Sequence, residues 1–187
     1  MADIGATHTR CALLDEQGKE VAPEVFDNVD FTSLPDILTA YLDHRRASDH
    51  PKNAAFAVAA PIIGDVVQMT NIDWRFSQAE LKSQLGLQRL TVCNDFAAIA
   101  WGLPHFPAAE RTQIGGGTPT SRTTTAVLGP GSGLGASGLV PTADGWTVLS
   151  GEGGHVSIPA ASDEEQDVVA LLRKRFGHCS EIGRAHV

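Results

Sequence analysis

Twice in this chain a strand-like run bends at a glycine-rich turn, returns as a second strand, and leads into a third strand and a helix. The first unit opens at Asp3-Ile-Gly5-Ala6-Thr7-His-Thr-Arg10; the second bends at Gly129-Pro-Gly131-Ser132-Gly133-Leu-Gly135. Glycine lets the main chain approach a ligand closely and reach positive φ, so such turns suit backbone N–H groups closing on an anion. A tight hairpin needs one or two glycines, whereas the second turn carries four in seven residues. A close ligand explains that surplus better than a flexible surface loop does. No Gly-Lys-Ser/Thr follows, so the turn is not a Walker A loop. Alone, the first turn reads equally well as a plain hairpin.

Between the two turns, Glu20 to Phe26 reads as a third strand, and Ser33 to Arg46 as a helix with Leu34, Ile37, Leu38, Tyr41 and Leu42 on one face. Asn53 to Ala60 is an apolar strand closed by Pro61. Ser77-Gln-Ala-Glu80 is a capping box, and Gly86 stops the short helix that follows. Arg89 to Cys93 is a buried-type strand that runs into a helix at Asp95. Pro104, Pro107 and a Gly/Thr/Ser/Pro-rich stretch to Thr120 mark the best domain boundary. Strands then recur at Thr123 to Leu128, Gly135 to Val140 and Trp146 to Leu149. A helix over Ser162 to Phe176 follows, with a capping box at Ser162 to Glu165 and a stop at Gly177.

The chain has 187 residues, 14 basic against 22 acidic, for a net charge of −8. An acidic surface disfavours non-specific binding to nucleic acid or membrane, so any anion site must be local. No run approaches a membrane-spanning length, and Met1 to Gly5 has neither the basic nor the apolar region of a secretory signal. Cys11, Cys93 and Cys179 lie far apart and are odd in number, which fits reduced thiols in a cytoplasmic protein better than a disulfide frame. Cys93, ending an apolar strand, is expected to be buried. Both ends depart from a native domain. Few apolar residues precede the first turn, so upstream residues are expected to be missing. Residues 181–187 lack periodicity and are encodable by common sequencing-adapter DNA, so they are read as a non-native tail.

Several side chains suit phosphoryl transfer. Asp3, at a strand end, can reach a divalent cation directly or through water, and Thr7 can donate its hydroxyl to a phosphate oxygen. Asn94-Asp95 follows a short apolar strand, where α/β sheets place ligands. Transfer to an alcohol needs a carboxylate that accepts the hydroxyl proton, although Asn94 also serves as a plain helix cap. Glu152 and His155, set in Gly-Glu-Gly-Gly-His, could present polar groups to a polyol or lie idle in a solvent loop.

Six blocks together resemble, in order, the motifs of bacterial glucokinases: Asp3 to Arg10, Ala59 to Asp65, Met69 to Trp74, Asn94-Asp95-Phe96, Gly129 to Gly135, and Gly151 to Val156. The resemblance runs from Asp3 to about Ser180. It implies the hexokinase-type fold of the actin and Hsp70 superfamily. In this chain that is an α/β fold: a ribonuclease-H-like mixed-sheet domain over 1–110, then the incomplete start of a second over 111–180. It also implies ATP, Mg²⁺ and glucose as ligands, with no nucleic-acid or membrane partner and a homodimer as the candidate assembly. Asp95 would be the base for the sugar 6-hydroxyl, with Asn94, Glu152 and His155 on other hydroxyls. Asp3, Gly5, Ala6 and Thr7, with Gly131, Ser132, Gly133 and Gly135, would hold the donor phosphates, and Asp3 the metal. Three departures stand out. Ala6 stands where a glycine is usual; if that residue needs positive φ, alanine is strained there and the turn must adjust. His8 replaces a frequent asparagine. A further sugar-binding glutamate of the family falls in register at 182, which is isoleucine here. A kinase for fructose or mannose and a non-catalytic sugar-binding regulator are the alternatives. The 187-residue chain alone is expected to be inactive.

Overall fold

The structure is a computed structural model that describes residues 1–130 and 134–180. Gly131, Ser132 and Gly133 of the second turn and the expected tail 181–187 lie outside the described residues. The chain divides into two compact units, Met1–Ala98 and Ile99–Val187.

The first unit runs β1 (Ala2–Ile4), β2 (His8–Leu14), β3 (Glu20–Asp27), α1 (Leu34–Asp43), β4 (Asn53–Val58), β5 (Val66–Gln68), β6 (Arg75–Ser77), α2 (Gln78–Gln84) and β7 (Arg89–Asn94), then enters α3 (Asp95–Gly102). Its five-stranded sheet has the order β3-β2-β1-β4-β7. The first three strands form an antiparallel meander, while β4 and β7 run parallel to β1. This is the mixed sheet expected from the resemblance. Buried Ile4, Phe56 and Val58 of the sheet pack with Leu34, Ile37, Leu38 and Tyr41 of α1 in one hydrophobic core. The α1 residues are those its apolar periodicity selects, and Pro35 sits in the first turn, where its missing N–H costs nothing.

One detail differs from expectation. Cys93 is half-buried, and Cys11 is the deeply buried thiol of the sheet. Cys93 lies on the edge strand β7, which has a neighbour on one side only. The segment between Met69 and Trp74 is the bend of an antiparallel hairpin, β5–β6, with Met69 N–H donating to the Trp74 carbonyl at 2.9 Å. Its three-residue strands are too short to show a period of two.

The second unit contains β8 (Thr125–Pro130), β9 (Leu134–Thr142), β10 (Gly145–Ser150) and α4 (Asp163–Phe176). The strands form an antiparallel sheet of order β10-β9-β8. The α4 capping box is complete: Ser162 Oγ accepts from Glu165 N–H, and Glu165 Oε2 accepts from Ser162 N–H. Gly177 ends the helix at φ 84°, a conformation that favours glycine. Among the described residues no helix is long and apolar enough to cross a membrane.

Candidate functional site

Parallel pairing in the first unit aligns three strand ends. Ile4 is in register with Val58, and Val58 with Asn94. The chain leaving β1, β4 and β7 therefore emerges at one end of the sheet, the end where open α/β sheets hold ligands. Neighbouring strands lie about 4.8 Å apart, so the first turn and Asp95 are separated by roughly 10 Å across the mouth.

The β1–β2 turn is closed by Gly5 N–H donating to the His8 carbonyl at 3.0 Å. The amides of Ala6 and Thr7 make no backbone hydrogen bond among the described residues, so two N–H donors remain at the bend. A Cβ on Gly5 would sit 3.2 Å from the His8 carbonyl oxygen, tighter than ordinary contact. Ala6 is not strained. Among the described residues the non-glycine positions with positive φ are Ala22 and Arg122, so alanine fits at position 6 and the condition for strain is not met. His8 Nε2 pairs with Asp27 Oδ1 at 2.9 Å.

Asp3 stands directly across from Arg10, and Arg10 Nη1 donates to Asp3 Oδ2 at 3.2 Å. Both side chains are more than half exposed, and exposed pairs of this kind contribute about 1 kcal/mol or less. The carboxylate thus remains exchangeable. Among the described residues no group of three or more His, Cys, Asp or Glu side chains gathers as a metal site. A single exposed carboxylate beside a phosphate-sized bend fits Mg²⁺, which keeps several waters and takes further oxygens from phosphates.

Asn94 is the cap that its position predicted. Its Oδ1 accepts from Phe96 N–H at 3.0 Å and Ala97 N–H at 3.2 Å, and its Nδ2 donates to the Ala60 carbonyl at 3.4 Å. It thereby ties the end of β7 to the chain leaving β4. Asp95 is half-buried on the first turn of α3, and its Oδ1 accepts from Phe96 N–H at 2.9 Å. The amide end of a helix favours negative charge. Asp95 also helps burial to push the Cys93 thiol up from its ordinary pKa, with burial the larger cause.

In the second unit, Gly129 pairs with Gly135 and Pro130 with Leu134 at the base of the second turn. Glu152 and His155 flank a 3₁₀ turn, Gly153–His155, and His155 Nδ1 lies 3.3 Å from Glu152 Oε2. The two glycines between them have a packing reason. A Cβ on Gly154 would fall 2.0 Å from the Leu134 carbonyl oxygen, and one on Gly153 2.8 Å from the Ala136 Cβ. The motif is thus pressed against β9 where that strand leaves the second turn. After α4 the chain returns to it: Ile158 N–H donates to the Cys179 carbonyl at 3.1 Å, and Ser157 bridges Ser180.

The structure brings together the expected residues of each unit: Asp3, Gly5, Ala6, Thr7, Asn94 and Asp95 at one sheet end, and Gly135, Glu152 and His155 around the start of β9. Sequence reasoning missed Asn28, a buried polar residue bonded to the first turn. Its only sequence signal is an asparagine just after a strand, which reads as an ordinary turn.

Comparison with known proteins agrees with this layout. A family model described as glucokinase matches residues 1–182. The glucokinase of Paramagnetospirillum magneticum is 45% identical over 181 residues, which are 96% of this chain and 56% of that protein. The chain therefore spans little more than half the length of that curated relative. A solved glucokinase from an Antarctic psychrotroph superimposes with a TM-score of 0.76 at 37% identity, covering 97% of this chain and 58% of that one. A ROK family glucokinase from Streptomyces griseus, solved with glucose and AMPPNP, shares the fold at 20% identity and a TM-score of 0.60, over 84% of this chain and 50% of that one. The six motifs, the mixed sheet and the match along the chain have one reading: this chain belongs to the glucokinase family.

Proposed function

We propose that the full-length gene product transfers the terminal phosphoryl group of ATP to glucose, giving glucose 6-phosphate and ADP. The observation that carries this reading is the shared sheet end: the turn amides of Ala6 and Thr7, which make no backbone hydrogen bond among the described residues, and the Asp95 carboxylate stand at the same end of one sheet, after β1 and β7 with β4 between them. The amides hold donor phosphate oxygens, and Asp95 accepts the proton of the sugar 6-hydroxyl as that oxygen bonds to the γ-phosphorus. The bond from phosphorus to the β–γ bridging oxygen breaks, and ADP leaves with that oxygen. Asp3 would be the protein ligand of Mg²⁺, which would supply charge neutralisation on the phosphates.

Asn94, Glu152 and His155 orient the remaining hydroxyls, and the second turn from Gly131 to Gly135, with Ser132 and Gly133, cradles the donor from the second unit. The two units act as the small domain and the first part of the large domain of the kinase. The reaction belongs in the cytoplasm, where ATP is available and thiols stay reduced. A homodimer is the assembly to test by light scattering.

The deciding experiment is a coupled assay of the full-length gene product with ATP, Mg²⁺ and a panel of glucose, fructose and mannose. Glucose should give the highest kcat/KM. A preference for fructose or mannose would reassign the substrate. Sugar binding without ATP-dependent turnover on any hexose would overturn the enzymatic reading in favour of a regulator.

A further inference from the structure

We propose that Asn28, backed by Thr9, is a positioning residue that holds the first turn in its phosphate-accepting shape, an inference that rests on the assignment of that turn to donor phosphates. Both residues are almost fully buried, at 1% and 0% exposure, and both are polar. Asn28 directs its bonds at the bend and the strand that leaves it. Its Nδ2 donates to the Gly5 carbonyl at 2.9 Å, its main-chain N–H donates to the Thr7 carbonyl at 2.9 Å, and its Oδ1 accepts from Thr9 Oγ1 at 2.8 Å.

The consequence follows from peptide geometry. In a planar trans peptide the C=O and N–H vectors oppose one another. Drawing the Gly5 carbonyl inward onto Asn28 therefore turns the Ala6 N–H outward, toward the mouth of the sheet. Thr9 fixes which face of the Asn28 amide carries the oxygen, since only Oδ1 can accept from its hydroxyl. Outside the core, the half-exposed His8–Asp27 pair ties the same two segments. A burial role alone would be met as well by an apolar pair of the same shape. Here the asparagine's donors and acceptor converge on the five residues from Gly5 to Thr9.

The test compares wild type, Asn28→Ala and Thr9→Val in the full-length gene product, using steady-state kinetics, thermal unfolding, and deuterium exchange of the peptide spanning the turn with and without AMPPNP. Asn28→Ala should raise KM for ATP about tenfold or more, the factor expected for losing a buried hydrogen bond. KM for glucose should stay within about twofold. The turn peptide should lose its AMPPNP-induced protection. Thr9→Val, which preserves side-chain shape, should show the same ATP-selective effect at smaller size and decides the matter if Asn28→Ala does not fold. Equal rises in both KM values, or an unchanged KM for ATP in a folded variant, would overturn the clamp while leaving the kinase assignment intact. A wild type that protects its turn with AMPPNP but phosphorylates no hexose would defeat the functional reading alone. The clamp then stands if Asn28→Ala abolishes that protection. Absence of AMPPNP protection in wild type would overturn the clamp.

Discussion

The two units begin alike and end differently. Each opens with an antiparallel meander of three strands bent at a glycine-rich turn. In the first unit the meander is extended by β4 and β7, parallel to β1, and α1 seals the sheet with an apolar face. In the second unit Val127, Leu139 and Val169 are buried, while Leu128 and Leu171 are 67% and 65% exposed. The added parallel strands make the difference in chemistry as well as in packing. They bring Asn94 and Asp95 to the same end of the sheet as the first turn, whereas the second unit presents its Glu152–His155 pair on a 3₁₀ turn pressed against β9. The two glycine motifs differ in the same way. At the first turn an alanine stands without strain; at Gly154 the backbone of a neighbouring strand leaves no room for one.

The largest expected effect tests the division of labour. In the full-length gene product Asp95→Asn should lower kcat by about 10²–10⁴-fold, the usual contribution of a positioned base, with KM for glucose nearly unchanged. Near-normal turnover in steady-state assays would move the chemistry away from the first unit. Next comes a pH effect specific to the first unit's core. Burial raises the Cys11 thiol from 9.0 to about 11. Between those values the folded state keeps a proton that the unfolded state has lost. The stability is therefore fully present below pH 9 and falls as pH rises toward 11, by about 3 kcal/mol at most. Urea unfolding across that window should show the slope in wild type and a flatter profile in Cys11→Ala.

Gly154→Ala should cost about 1–3 kcal/mol through overpacking against Leu134. Hydrogen exchange should show the loss in β9 and around Glu152, with β1 and β4 unaffected. The smallest effect is at the first turn. Ala6→Gly should destabilise by about 0.4–1 kcal/mol, because glycine adds freedom to the unfolded chain. A stabilised Ala6→Gly variant in thermal unfolding would mean that the bend is strained after all and would erase the contrast with Gly154.

Much of the fold was legible because it rests on local rules. The α1 face, the Ser162–Glu165 box, and the stops at Gly86 and Gly177 each follow from spacing or from positive φ. Ser77 shows where local rules end. Its Oγ accepts from Glu80 N–H as expected, but the Ala79 N–H goes to Asp65, twelve residues before Ser77 in sequence. Of the candidate site, the motifs were legible and their supports were not. Asn28 reaches Gly5 across 23 residues, and Gly154 of a 3₁₀ turn meets Leu134 at the start of β9. Such pairings depend on register, which no window of sequence contains. Whether Ala6 is strained was undecidable in sequence for a related reason: the demand for positive φ belongs to a particular bend, and this bend closes without it.

The sugar contact proposed for Asn94 has a consequence for selection. With both lone pairs of Oδ1 taken by the helix amides and one Nδ2 hydrogen given to Ala60, a single N–H is left to offer. Any carbohydrate oxygen arriving there must act as an electron-pair giver. In the proposed site, an ether oxygen in that place should satisfy Asn94 nearly as well as the natural hydroxyl, so discrimination between the two at that carbon has to come from other residues.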